Sequence, residues 1–218
     1  MLEVAGASVA IAGVPVLRGV SLTVPQGARV ALIGRNGAGK TTTLRAIMGL
    51  VRLADGQVRL DGTSLSAQKP HLRTRAGIGY APEERRLFGR FTVEENLHLP
   101  AEVLGLDGAE RARRLDKVYA VLPELRDLAP RRAAGLSGGQ GKMVALGRAL
   151  MVGTRLVLLD EPFQGLAPAL ALRYADTLRR LREVEPDLAF LIAESNPALL
   201  APLVERTYVI ERGEVSEG

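Results

Sequence analysis

The period of the hydrophobic pattern changes along the chain. From residue 2 to residue 24, short apolar stretches alternate with turn residues at Gly6, Gly13, Pro15 and Gly19, which predicts antiparallel strands rather than helices. A turn over residues 25–27 leads into the apolar run 30–33, read as a buried strand, and residues 42–50 read as the helix after it. Strands are also expected over residues 57–61 and 77–81, the second stopping at Pro82. From Thr92 the period becomes helical. Thr92 with Glu95 three residues on forms a capping box ahead of Leu97, Leu99, Val103 and Leu104, and Pro100 predicts a kink or break there. A second helix is expected over residues 108–122, with Leu115, Val118 and Leu122 inward and Arg111, Arg113, Arg114 and Lys117 on a solvated face.

Beyond residue 134 the chain alternates: helix 138–152, strand 156–160, helix 169–184, strand 188–193, a short helix near 197–204 and strand 207–211. Strands alternating with helices predict a mostly parallel sheet covered on both faces. The expected class is α/β, with an antiparallel β subdomain and a helical insertion over 92–134 that interrupts a core of 1–91 and 135–218. Few contacts need cross the ends of that insertion, so it can move as a unit.

Between the first buried strand and its helix stand Gly34, Arg35, Asn36, Gly37, Ala38, Gly39, Lys40, Thr41 and Thr42. This is the pattern of glycine, four residues, glycine, lysine and a hydroxyl, which makes the core a P-loop NTPase core. The glycines let successive backbone N–H groups and the positive helix end face one anion; Lys40 adds a point charge for the outer phosphates. Thr41 offers a hydroxyl to magnesium. Strand 156–159 ends in Asp160 and Glu161. A carboxylate at that edge faces the loop's hydroxyl across a metal ion, and Glu161 is placed to polarise a water for attack on a γ-phosphate. A third motif, Ser137, Gly138, Gly139 and Gln140, opens a helix where Ser137 can cap and the glycines let N–H groups approach a second anion. Two half-sites on one chain make sense if two copies face each other head to tail, each nucleotide lying between one copy's loop and the other's glycine pair.

Composition narrows the class. The 218 residues suffice for a substantial core, and 47% hydrophobic with 24% charged residues is an ordinary globular balance. No apolar run reaches the roughly 18 residues of a membrane-spanning helix. The start, Met1, Leu2 and Glu3, lacks the basic and apolar regions of a signal peptide, which predicts a cytoplasmic protein. The absence of cysteine excludes disulfides and thiolate metal sites. The net charge of +5 comes from scattered arginines, and with 4% aromatic residues there is little to stack on bases, so no nucleic-acid partner is expected.

Taken together, the three motifs resemble the nucleotide-binding subunit of an ABC transporter over nearly the whole chain, and within that family the ATPases of branched-chain amino acid importers. Residues 79–97 are similar to that subgroup's segment around the Q-loop, with Glu83 where most relatives carry glutamine; residues 162–168 resemble its D-loop, with Ala167 where many have aspartate. Residues 190–196 resemble the strand that leads to the switch residue, usually histidine and here Ser195. The resemblance implies ATP and Mg²⁺ as cofactors, with catalysis by Glu161, Ser195 and Glu83 and metal contacts from Thr41, Asp160 and Glu83. It implies membrane-spanning permease subunits, a second ATPase subunit and a solute-binding protein as partners, at the cytoplasmic face of the membrane. The family's adenine-stacking aromatic is replaced by the apolar residues Val9, Ala10 and Ile11, which leaves Ile11 as the expected base contact. A serine cannot carry the switch histidine's positive charge, so slower hydrolysis, or a greater reliance on Glu161, is expected. Gly141 and Lys142 follow the signature where relatives often carry glutamines. A nucleotide-gated regulator with little turnover is the competing reading. A small GTPase is disfavoured because the chain has no Asn-Lys-x-Asp motif.

Overall fold

Alternate residues of the buried strands feed two hydrophobic cores on opposite faces of one sheet. In the computed structural model, which describes residues 1–218, β1 (Leu2–Ile11) and β2 (Val14–Val24) pair antiparallel, followed by β3 (Arg29–Ile33) and α1 (Lys40–Met48). Next come β4 (Asp55–Leu60), β5 (Thr63–Ser64), α2 (Pro70–Arg75), β6 (Ile78–Ala81), α3 (Val93–Val103), α4 (Gly108–Val121) and α5 (Glu124–Leu128). The chain ends with α6 (Gly138–Leu150), β7 (Leu156–Asp160), α7 (Pro168–Val184), β8 (Ala189–Glu194), β9 (Arg206–Glu211) and β10 (Glu214–Glu217). One sheet is antiparallel, in the order β2-β1-β4-β5; the other runs β10-β9-β3-β8-β7-β6 and is parallel except at β10.

On β7, Leu156 and Leu158 pack toward α1 and the antiparallel sheet, while Val157 and Leu159 pack toward α3, α4, α6 and α7. Leu191 and Ala193 against Phe190 and Ile192 repeat this division on β8. Every position is apolar because helices or a second sheet cover both faces, which is why these strands read as continuous runs. The parallel register sets Ile33 beside Glu194 and Asp160 beside Ala193, so β3, β7 and β8 deliver their carboxyl ends to one edge. Ligands of open α/β sheets bind at that edge.

Several local features depart from the sequence reading. Pro100 lies inside α3 without ending it. The helix loses one backbone hydrogen bond there, but Leu97 and Ala101 are fully buried on either side and hold it in place. Residues 197–204 form only a single 3₁₀ turn, Pro197–Leu199, capped by the Asn196 Oδ1 accepting from the Ala198 N–H at 3.0 Å. The six-residue α2 has no long periodic pattern. It is held through Arg73, buried, whose Nη1 donates to the carbonyls of Ala46 and Ile47 at the end of α1, both at 2.8 Å. β10 is a sheet-edge strand, paired on one side only.

Candidate functional site

The loop between β3 and α1 wraps around its own lysine. Gly37 and Gly39 have φ of 81° and 117°, a region that side chains with a Cβ avoid, and Gly34 has no room for one, since its Cβ would lie 2.4 Å from the Ile210 carbonyl oxygen. No side chain caps α1, so its first N–H groups face the loop's interior. Lys40 is buried, and its Nζ lies 2.7 Å from the Gly34 oxygen, 3.2 Å from the Arg35 oxygen, 3.0 Å from Ser195 Oγ and 3.0 Å from Glu161 Oε1. One ammonium therefore ties the loop to the ends of β7 and β8.

Thr41 Oγ1 donates to Asp160 Oδ1 at 3.0 Å, and the Tyr80 hydroxyl donates to Asp160 Oδ2 at 3.0 Å. Burial raises the Asp160 carboxyl above its ordinary value; the Thr41 and Tyr80 hydrogen bonds oppose this, and the charges of Glu83 and Glu161 add to it. Burial and the Asp160 charge push the Tyr80 phenol far up, so it stays a donor. No group of three or more histidine, cysteine or acidic side chains is arranged to hold a metal ion by itself. Mg²⁺ needs none, because it is held by one or two carboxylates together with substrate phosphates and water. The adjacent oxygens of Thr41 and Asp160, with Glu83 on the cavity that Thr41 lines, fit that donor set.

Glu161 is buried at the end of β7, with its φ at 48° in the left-handed region and its N–H donating to the Ala193 oxygen at 2.9 Å. Ser195 Oγ lies 2.6 Å from Glu161 Oε1 and 2.9 Å from Asn36 Oδ1, so its one proton chooses between them. Burial works to raise the Glu161 carboxyl, but hydrogen bonds from Glu194, Ser195 and Lys40 and the charge of Lys40 hold it below the ordinary value. Glu194, the last residue of β8, is the opposite case: burial, and then Glu161 beside it, push it up to about 8. The Ser195 N–H reaches both Glu161 Oε2 and Glu194 Oε2 at 3.2 Å, and the Phe163 N–H donates to Glu194 Oε1 at 2.7 Å. The two shifts run in opposite directions, so the pair favours its proton on Glu194 and its charge on Glu161.

Asn36, Gly37, Gly39, Lys40, Thr41, Thr42, Glu83 and Glu161 line one cavity of about 310 Å³, joined by Val16 and Gln164. Gly34 and Ala38 are buried beneath it. Ile11 does not line this cavity. It closes β1 at the hairpin turn, 49% exposed, and Val16 on β2 supplies the apolar lining instead. The signature residues also lie outside the cavity. Ser137 caps α6, its Oγ accepting from the Gln140 N–H at 3.3 Å while its own N–H donates to Gln140 Oε1 at 3.0 Å. Ser137 and Gly138 are exposed, and Gly139 is packed so closely that a Cβ would come 1.7 Å from Leu170 Cδ2. Gly141 leaves room for Arg85, whose Nη1 donates to the Gly138 oxygen at 3.0 Å.

Sequence reasoning assigned no role to Tyr80 or Glu194, and marked Lys142 only as a departure from its relatives. A carboxylate closing an apolar strand was the available signal for Glu194, the same one that marked Asp160.

A phosphate-binding loop, a buried lysine and two acidic strand ends at the carboxyl edge of a parallel sheet define a P-loop nucleotide-binding cassette. The family model for ABC transporters matches residues 17–164. The chain is 39% identical over 199 residues to the high-affinity branched-chain amino acid transport ATP-binding protein BraG of Pseudomonas aeruginosa, covering 91% of this chain and 84% of that one. It is 36% identical over 200 residues to the lipopolysaccharide export system ATP-binding protein LptB of Acidithiobacillus ferridurans, covering 92% and 82%. A solved ATP-binding subunit of an ABC transporter superposes with a TM-score of 0.87 at 31% identity, covering 100% of this chain and 89% of that one. The chain belongs to the ABC transporter family, as an ATPase subunit.

Proposed function

We propose that this subunit binds and hydrolyses ATP to power import of branched-chain amino acids or related small solutes, closing head to tail with a second ATPase subunit on two ATP molecules. The observation that carries the hydrolytic part is Glu161, ionised, buried and held by Lys40 and Ser195 on the rim of the loop cavity. In this reading the loop N–H groups and Lys40 bind the β- and γ-phosphates, and Asn36 and Ser195 orient the γ-phosphate end. Glu161 takes the proton of the attacking water on its carboxylate, while Glu83 completes the polar rim. Mg²⁺, held by Thr41 and Asp160, would neutralise phosphate charge. Ser137 to Gln140 serve the nucleotide of the facing subunit, since they lie outside their own chain's cavity.

No helix is long and apolar enough to cross a membrane, so transport needs membrane-spanning permease subunits, with this chain peripheral on their cytoplasmic face and a solute-binding protein upstream. Residues 92–134 form the helical subdomain, moving as a unit, and the segment around Glu83 couples it to the permease. The solute assignment is supported by the likeness to BraG, and the likeness to an export-system ATPase is nearly as great. A nucleotide-gated regulator with little turnover is the second reading, favoured by Ser195 in the switch position. Magnesium-dependent ATPase activity of wild type against Glu161→Gln separates them. The expected result is a loss of about 100-fold or more in kcat with ATP still bound; equal rates at saturating ATP would establish the regulator.

A further inference from the structure

Lys142 stands one turn into the signature helix yet reaches into its own chain's catalytic machinery. Its Nζ donates to the main-chain carbonyl of Glu161, across the gap between α6 and the end of β7. The side chain is half-buried, and the carboxylates of Glu194, Glu83 and Glu161 attract it, while the Arg85 guanidinium repels it. Lys142 is not among the residues lining the loop cavity, so whatever it does for the nucleotide passes through another residue.

That residue is Glu161. Its φ of 48° is unusual for a residue with a Cβ, and such a conformation persists only where the surroundings over-determine it. The contacts that do so are the N–H on the Ala193 oxygen, the carboxylate on Lys40 and Ser195, and the carbonyl, which accepts from the Gln164 N–H at 3.3 Å and from Lys142. Lys142 is the one side chain that reaches the Glu161 carbonyl, and it comes from α6. A glutamine at 142 would be one bond shorter and would bring no charge toward three carboxylates.

Resting on the ATPase reading above, we propose that Lys142 is a positioning residue for Glu161, fixing its left-handed backbone so that its carboxylate meets the γ-phosphate end of the site. The helix that opens on Ser137 thereby serves two places at once: its first turn faces the partner's nucleotide, and its second turn holds the general base of its own site.

The test compares wild type with Lys142→Met, which keeps the stem and removes the ammonium, and Lys142→Arg, which keeps charge and donors. Steady-state hydrolysis of Mg²⁺-ATP and equilibrium binding of a fluorescent ATP analogue are measured, together with a crystal structure of nucleotide-free Lys142→Met. Expected are a kcat lower by about tenfold or more in Lys142→Met with KM and analogue Kd within about twofold of wild type, and partial recovery in Lys142→Arg. In the crystal, Glu161 is expected to leave the left-handed region. The proposal is overturned if Lys142→Met keeps wild-type kcat, if kcat and affinity fall together, or if Glu161 keeps its backbone and its contact with Ser195. Should Lys142→Met not fold, Lys142→Gln takes its place under the same criteria. A wild type without ATPase activity would sink the ATPase reading instead, and the crystal structure alone would then decide the positioning role.

Discussion

Glu194 and Glu161 show how one residue's surroundings set its charge. Both are buried, yet Lys40 faces Glu161, while Glu194 has mainly burial and a carboxylate neighbour, with Lys142 and the Tyr174 phenol in its surroundings. The Glu194 carboxyl, ordinarily 4.5, is raised to about 8 in the folded chain. Between those values the folded chain holds a proton that the unfolded chain has released, so stability falls as pH rises through that window. The raised Asp160 adds to the same slope. Thermal unfolding of the nucleotide-free protein between about pH 5.5 and 8.5 is therefore expected to show a falling Tm, and Glu194→Gln a flatter profile that meets or crosses the wild type at the alkaline end. Parallel profiles for the two proteins would contradict the assignment. Residue chemistry was legible where a motif announces it, as at Lys40, Thr41, Asp160 and Glu161. It was not legible where folding decides what an ionisable group faces: Lys142 and Glu194 gain meaning only when α6 and β8 converge on β7.

At the scale of elements, close approach between helix and strand does what hydrophobicity alone cannot. β6 meets α6 at Gly79, where a Cβ would lie 2.2 Å from the Ala149 oxygen and 3.1 Å from Gly153 Cα. These are backbone atoms, which cannot swing aside. Gly79→Ala is expected to cost about 1–3 kcal/mol by overpacking, which for a chain of this size lowers Tm by roughly 2–12 °C. Differential scanning calorimetry checks this; an unchanged Tm would mean that β6 and α6 slide apart freely. The alternation of buried strands and helices was readable because parallel strands covered on both faces must be apolar throughout. α2 and β10 were not, since one rests on Arg73 reaching the end of α1 and the other on a single neighbouring strand. Pro100 misled for a related reason: local propensity favours a break, and the packing of Leu97 and Ala101 overrides it.

At the scale of the whole molecule, the phosphate loop and the signature of one chain do not line one cavity, and in the proposed head-to-tail arrangement a second subunit completes each site. Two inactive variants can expose that arrangement. Lys40→Ala disables the loop and keeps the signature; Ser137→Arg disables the signature and keeps the loop. Each alone is expected to hydrolyse ATP at a few per cent of the wild-type rate or less. In an equal mixture that exchanges subunits, about half the dimers combine the two variants, and one of the two sites in each such dimer is intact. ATPase activity of the mixture is therefore expected to rise to about a quarter of the wild-type rate per chain. A mixture no more active than the mean of its two components would contradict the head-to-tail site.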